Sequence, residues 1–146
     1  MKPPKPTKSI SNQTVGNIGL YFACYQLSLL GWNAMPTARN ARGIDIVAYN
    51  QVGNKVLTFQ VKSLSKRNAV PLGATMSSLV ANYVIVVGLV TSANPHCHVM
   101  KPREVKRLSE PHKGAFWLPP RAYECFEDIG KRIGPGAKRI VGTDRG

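Results

Sequence analysis

"GIDIVAYN" (residues 43–50) and "LTFQVKS" (residues 57–63) are two short apolar segments joined by a spacer that contains Gly53 and Asn54. Successive side chains of a strand point to opposite faces. Asp45, Val47 and Tyr49 therefore share one face of the first segment, and Ile44, Ile46 and Ala48 the other. In the second segment Thr58, Gln60 and Lys62 lie opposite Leu57, Phe59 and Val61. The spacer "QVGN" predicts a hairpin with a loop of about four residues. A turn centred on Val52–Gly53 sets Asp45 across from Gln60, with Lys62 two residues further along the same face. Three polar side chains then meet at one spot. Asp45 is also the only acid in the first 103 residues; Glu104, Glu110, Glu124, Glu127, Asp128 and Asp144 all follow.

Outward from this hairpin, "TVGNIGLYFACYQLSLL" (14–30) has helical periodicity on two apolar flanks, which predicts a largely buried helix. Ser11 or Asn12 caps its start and Gly31 stops it. "WNAMPT" is a short extended segment ending in a proline. Beyond the hairpin, a polar stretch "SKRNAVPLGA" precedes a short helix at about 75–81. "NYVIVVGLV" is apolar throughout, as expected of a strand buried on both faces, and "HCHVMKP" is its antiparallel neighbour across "TSANP". "REVKRLSE" is a short helix opened by Pro102, "AFWLPP" is extended, and "RAYECFEDIGKRIG" is a final amphipathic helix. The order predicts an α/β domain, a mixed central β-sheet flanked by helices. One domain spans 11–134, between a basic flexible tail at 1–10 and a C-terminal tail at 135–146.

The chain carries 20 Lys and Arg against 7 acids, a formal charge of +13, with 11 of the bases and one acid in residues 1–103. This balance favours a polyanionic partner, most often nucleic acid. A membrane partner is not expected, because no basic amphipathic helix or membrane-length apolar run is present. Three cysteines without CxxC spacing, and no apolar core after "MKPPKPTKS", point to a reducing cytoplasm. "PHCHV" brings His96, Cys97 and His98 together, but no second ligand pair accompanies them, so solvent-facing histidines on a strand are expected.

Two readings compete for Asp45. In one it forms a half-exposed ion pair with Lys62 across the strands. In the other Asp45, the Gln60 amide oxygen and the Val61 carbonyl are hard oxygen ligands for Mg²⁺, and Lys62 orients a water or offsets charge on a phosphate. Basic residues flank the hairpin on both sides: Arg39 and Arg42 before it, Lys66 and Arg67 after it. With Ser63, these are the candidate phosphate contacts.

A long helix, "GID" on a strand, a hairpin and then "QVKS" resembles the PD-(D/E)XK nuclease superfamily, which includes restriction endonucleases and archaeal Holliday-junction resolvases. The likeness covers residues 14–65 and extends more loosely over "NYVIVV…HVMKPREV". The resemblance implies a restriction-endonuclease-like fold, with the metal-binding aspartate at Asp45 and the D/E-X-K element at Gln60, Val61 and Lys62. It implies Mg²⁺ (or Mn²⁺ as a substitute), DNA rather than RNA as partner, and a homodimer. This sequence departs from the pattern twice. Leu20 stands where many members carry a glutamate on the first helix, and Gln60 is neutral where a carboxylate is usual. Two functions are thus open: a Mg²⁺-dependent endonuclease hydrolysing DNA phosphodiesters, and an inactive nuclease-fold module that binds DNA or RNA.

Overall fold

A computed structural model describes residues 2–7, 9–38 and 41–137. The first element, α1 (Asn12–Leu29), starts where the Ser11 side chain accepts the Thr14 N–H at 3.1 Å, and it ends before Gly31, whose φ is +88°. Five strands follow: β1 (Asn33–Pro36), β2 (Ile46–Tyr49), β3 (Val56–Ser63), β4 (Val70–Gly73) and β5 (Tyr83–Gly88). Next come β6 (His96–Met100), α2 (Pro102–Leu108), β7 (Glu110–His112) and β8 (Ala115–Leu118). Two short helices, α3 (Pro120–Tyr123) and α4 (Ile129–Arg132), complete the order.

The main sheet runs β1-β2-β3-β5-β6 and is mixed: β3 and β5 are parallel and every other pair is antiparallel. Ile46 pairs with Phe59 and Tyr49 with Val56, which is the register expected from the sequence. β5 is buried from Val84 to Gly88, as its continuous hydrophobicity predicts. One core lies between the sheet and α1, built on Ile46, Ala48, Phe59, Ile85, Ala23 and Leu27. The second core, on the other face, joins Val84, Val86 and Met100 to β4, β8 and α2 through Val70, Leu118 and Val105. Truncating a fully buried ring such as Phe59 to alanine typically costs about 3–5 kcal/mol, so each layer depends on a few such residues.

Four expectations are corrected. Residues 75–81 form turns and no helix, with Met76 at φ +55°. The stretch 120–134 is two helical turns, because Asp128 caps a new start by accepting the Lys131 N–H at 3.0 Å. Between them, the Phe126 carbonyl lies 3.2 Å from Nδ1 of His98. Helix α1 buries only the stripe Gly19, Ala23 and Leu27, while Tyr21, Tyr25 and Leu29 are exposed. A second sheet, β4-β8-β7, was not anticipated, and its strand β4 sits inside the stretch read as a polar loop. Of the terminal stretches, Met1, Lys8 and residues 138–146 lie outside the described residues. Gly136 is tied to the body by main-chain bonds to Leu30 and Gln51.

Helix α1 approaches β3 most closely at Gly19. A Cβ there would lie 1.9 Å from Oγ of Ser63 and 2.7 Å from its Cβ. Gly19→Ala is expected to destabilise the protein by about 1–3 kcal/mol through overpacking. Adding Ser63→Gly, which removes both clashing atoms, should recover most of that loss in a urea titration of the four-member cycle.

Candidate functional site

Asp45 sits one residue before β2, and its main chain is held from both sides. Its N–H donates to the Phe59 carbonyl at 2.8 Å, and its carbonyl accepts the Thr37 N–H at 2.9 Å. Ile46 also pairs with Phe59, so two successive residues address one residue of β3, as at a bulge. The approach to Asp45 is equally fixed. Gly43 has φ +73°, and a Cβ on it would lie 2.2 Å from the Ser78 carbonyl oxygen. Only glycine fits there, which explains the "GID" spacing in physical terms.

The Asp45 side chain takes over where the β2–β3 ladder stops. Its Oδ2 accepts the Val61 N–H at 2.7 Å. In a strand the N–H and C=O of one residue point to the same side, so the Val61 carbonyl also points toward Asp45. No hydrogen bond from the described residues reaches Asp45 Oδ1. No ion pair joins Asp45 to Lys62 among the described residues; the pairs present are Arg67–Glu124, Arg121–Glu110 and Arg132–Glu104.

Gln60 is 6% exposed and is the only buried polar residue among the described ones. Its Oε1 is fully buried and has no hydrogen-bond partner. An orphaned amide oxygen is expensive, about 1–3 kcal/mol in desolvation. Lys62 lies two residues on, half-buried and on the same face. Burial pushes its ammonium group below the ordinary lysine range, and the nearby Asp45 carboxylate opposes part of that shift. An open carboxylate oxygen, an unsatisfied amide oxygen and a main-chain carbonyl form an all-oxygen donor set, the kind that suits Mg²⁺. The residues present therefore fit a hard divalent cation.

The other sequence candidates are distributed unevenly. Arg42 is exposed beside the site, and its Nη2 donates to Ser77 Oγ at 3.1 Å. Lys66 is exposed just beyond β3. Arg67 is engaged by Glu124 through its Nε and Nη2, the shortest contact being 2.6 Å. Ser63 faces α1, where its Oγ donates to the Gly16 carbonyl at 3.3 Å, so it lies on the opposite face from Gln60 and Lys62. Arg39 lies outside the described residues. Leu20, at the helix position singled out above, is half-buried against the α1 core. No group of three His, Cys, Asp or Glu side chains able to hold a metal occurs among the described residues. Cys97 of "PHCHV" is buried, and burial pushes its thiol up to about 12, so it offers no thiolate. The sequence did not reveal the anchoring of Asp45 by the Val61 N–H or the packing of Gly43 on Ser78. The one signal for the second was the glycine two residues before Asp45.

No protein-family model matches the chain, and no curated protein matches it. Among solved structures it is similar to Hjc, a Holliday junction resolvase from the archaeal hyperthermophile Archaeoglobus fulgidus. The two are 20% identical over 82% of this chain and 96% of that one, with a TM-score of 0.61. The chain thus has the mixed α/β, restriction-endonuclease-like fold.

The orphaned amide oxygen has a measurable consequence. Gln60→Met keeps the volume and removes the unsatisfied group, so it should stabilise the metal-free protein by about 1 kcal/mol or more in urea. A loss of similar size would show that the amide is satisfied within the protein.

Proposed function

We propose that this chain binds nucleic acid and hydrolyses DNA phosphodiesters as a Mg²⁺-dependent endonuclease, with Asp45, Gln60 and Lys62 as its working residues. The observation that carries the reading is the buried, unpartnered Gln60 oxygen on the strand whose Val61 N–H holds the Asp45 carboxylate. Folding alone gives no reason to leave a buried amide oxygen unsatisfied, whereas a cation satisfies it.

In this reading Asp45 and Gln60 hold the cation, with the Val61 carbonyl as a third ligand, and Mn²⁺ substitutes for Mg²⁺. Bound there, the ion supplies Lewis-acid polarisation of the phosphate and an activated water. The Val61 N–H fixes the carboxylate through Oδ2, and no hydrogen bond from the described residues reaches Oδ1. Lys62 orients the attacking water and offsets the charge that develops on the phosphate. Arg42 and Lys66 border this face and contact neighbouring phosphates, joined by Arg39 and Arg67 from the basic loops, whereas Ser63, turned to α1, is not among the contacts. The net charge of +13 supports the polyanion, and the structural neighbour's substrate, a Holliday junction, favours DNA over RNA. The superfamily resemblance supports a homodimer. Cys24, Cys97 and Cys125 are all free, as suits a reducing cytoplasm.

One observation favours a second reading, a nuclease-fold module that binds DNA or RNA without cutting it. Leu20 fills the helix position where the superfamily usually has a glutamate, leaving Asp45 as the single carboxylate, and Mg²⁺ dehydrates reluctantly for one negative charge. In that case the Asp45–Val61 bond serves only to close the ladder.

The test is incubation with duplex, single-stranded and branched DNA, and with RNA, in Mg²⁺ or Mn²⁺ and in EDTA. Metal-dependent cutting that Asp45→Ala and Lys62→Ala each reduce by at least about 100-fold, the scale of losing a charge-stabilising group, is the expected result. Binding without cutting on every substrate would instead establish the second reading. In both, affinity should fall with salt at a log–log slope near −0.9 per duplex phosphate contacted, and a flat dependence overturns both.

A further inference from the structure

A small hollow of about 60 Å³ lies beside the candidate site, lined by Lys66, Arg67, His96, His98, Tyr123 and Glu124. The sheet register places it. Lys62 pairs with Val86 and Val86 with His98, so Lys62 and His98 point to the same face, two strands apart. His96 follows one step further on that face, opposite Gly88. Two strand spacings are about 10 Å. The hollow thus lies on the same sheet face as Lys62, about two strands across from it.

The occupant of this hollow is informative. Arg67 presents its Nε and Nη2 to both oxygens of Glu124, at 2.6–3.1 Å. The same fork accepts two oxygens of a phosphate equally well. Both partners are well exposed, 63% and 39%, and an exposed pair of this kind contributes little to stability, so a phosphate anchored elsewhere can displace the carboxylate. Lys66 stands beside the pair with no partner among the described residues. We propose that this hollow is a second phosphate subsite, occupied in the free protein by the Glu124 carboxylate, which a backbone phosphodiester replaces at Arg67 when nucleic acid binds. The inference rests on the nucleic-acid reading of the neighbouring site and adds a place and a competitor to it.

The experiment measures binding of the full chain to a fluorescently labelled duplex in EDTA across a salt series. Glu124→Gln frees the fork and should tighten binding by about five-fold, the upper worth of an exposed pair. Glu127→Gln makes the same change in net charge at an exposed acid with no side-chain partner among the described residues, and it should give a smaller gain. In an Arg67→Ala background the gain from Glu124→Gln should disappear. The subsite is overturned if Glu124→Gln does no more than Glu127→Gln, or if its gain survives without Arg67, while the wild type still binds with a salt-dependent slope. A wild-type chain with no salt-sensitive binding overturns the nucleic-acid reading, and the subsite with it. Thermal melts of each variant confirm that the comparison is between folded proteins.

Discussion

Strand β3 packs one face on α1 and carries an amide and an ammonium group on the other, and the site is arranged around that constraint. Phe59, with Leu57 and Val61, packs under α1, while Gln60 and Lys62 face the side on which Val84 and Val86 of the neighbouring β5 join the second core. A strand with cover on both sides ordinarily reads as continuous hydrophobicity, as β5 does. β3 instead places an amide and an ammonium group where water is scarce. The cost appears as the orphaned Gln60 oxygen and as the depressed proton affinity of Lys62. Asp45 meets this strand at the point where the ladder ends, and it is secured by three hydrogen bonds of 2.7–2.9 Å. Asp45 is therefore fixed in place and the Gln60 oxygen is left unsatisfied, which supports the proposed cation site.

The use of the acids supports the same view. Glu104 accepts the Lys101 N–H at the start of α2 and pairs with Arg132, and Asp128 caps α4. Glu110 and Glu124 pair with Arg121 and Arg67. These carboxylates cap helices or balance arginines. Asp45 does neither: it lies in the chain's most basic region, accepts one backbone N–H and leaves its other oxygen open.

Much of this was legible in the sequence because it depends on period and punctuation. Two-residue alternation with Gly53 in the spacer gave the register of the hairpin from Ile46 to Tyr49, and hence the shared face of Gln60 and Lys62. Asp45, expected opposite Gln60, instead lies beyond the ladder with its N–H on the Phe59 carbonyl. Ser11 and Gly31 marked the ends of α1. What escaped reading depends on contacts distant in sequence. β4 carries Pro71 and Gly73, which read as loop residues, and it becomes a strand only because β8 pairs with it. The final helix breaks because Phe126 and Glu127 are bonded to His98 and Val99 of β6 and Asp128 caps a new start. Leu29 fits an apolar flank by periodicity, yet it is exposed, and the stripe that α1 buries is Gly19–Ala23–Leu27. For the site, residue types gave the candidate ligands, but neither the lack of a partner for Gln60 Oε1 nor the engagement of Arg67 by Glu124 can be read from composition or spacing.

The central claim is that the cluster holds a divalent cation against a nucleic-acid phosphate. The most direct measurement is Mn²⁺ binding by electron paramagnetic resonance, in the presence of a duplex whose phosphodiesters resist hydrolysis. The account predicts a bound Mn²⁺ in the ternary complex that Asp45→Asn abolishes while the duplex remains bound. The same duplex affinity with no bound Mn²⁺ in the wild type would contradict it.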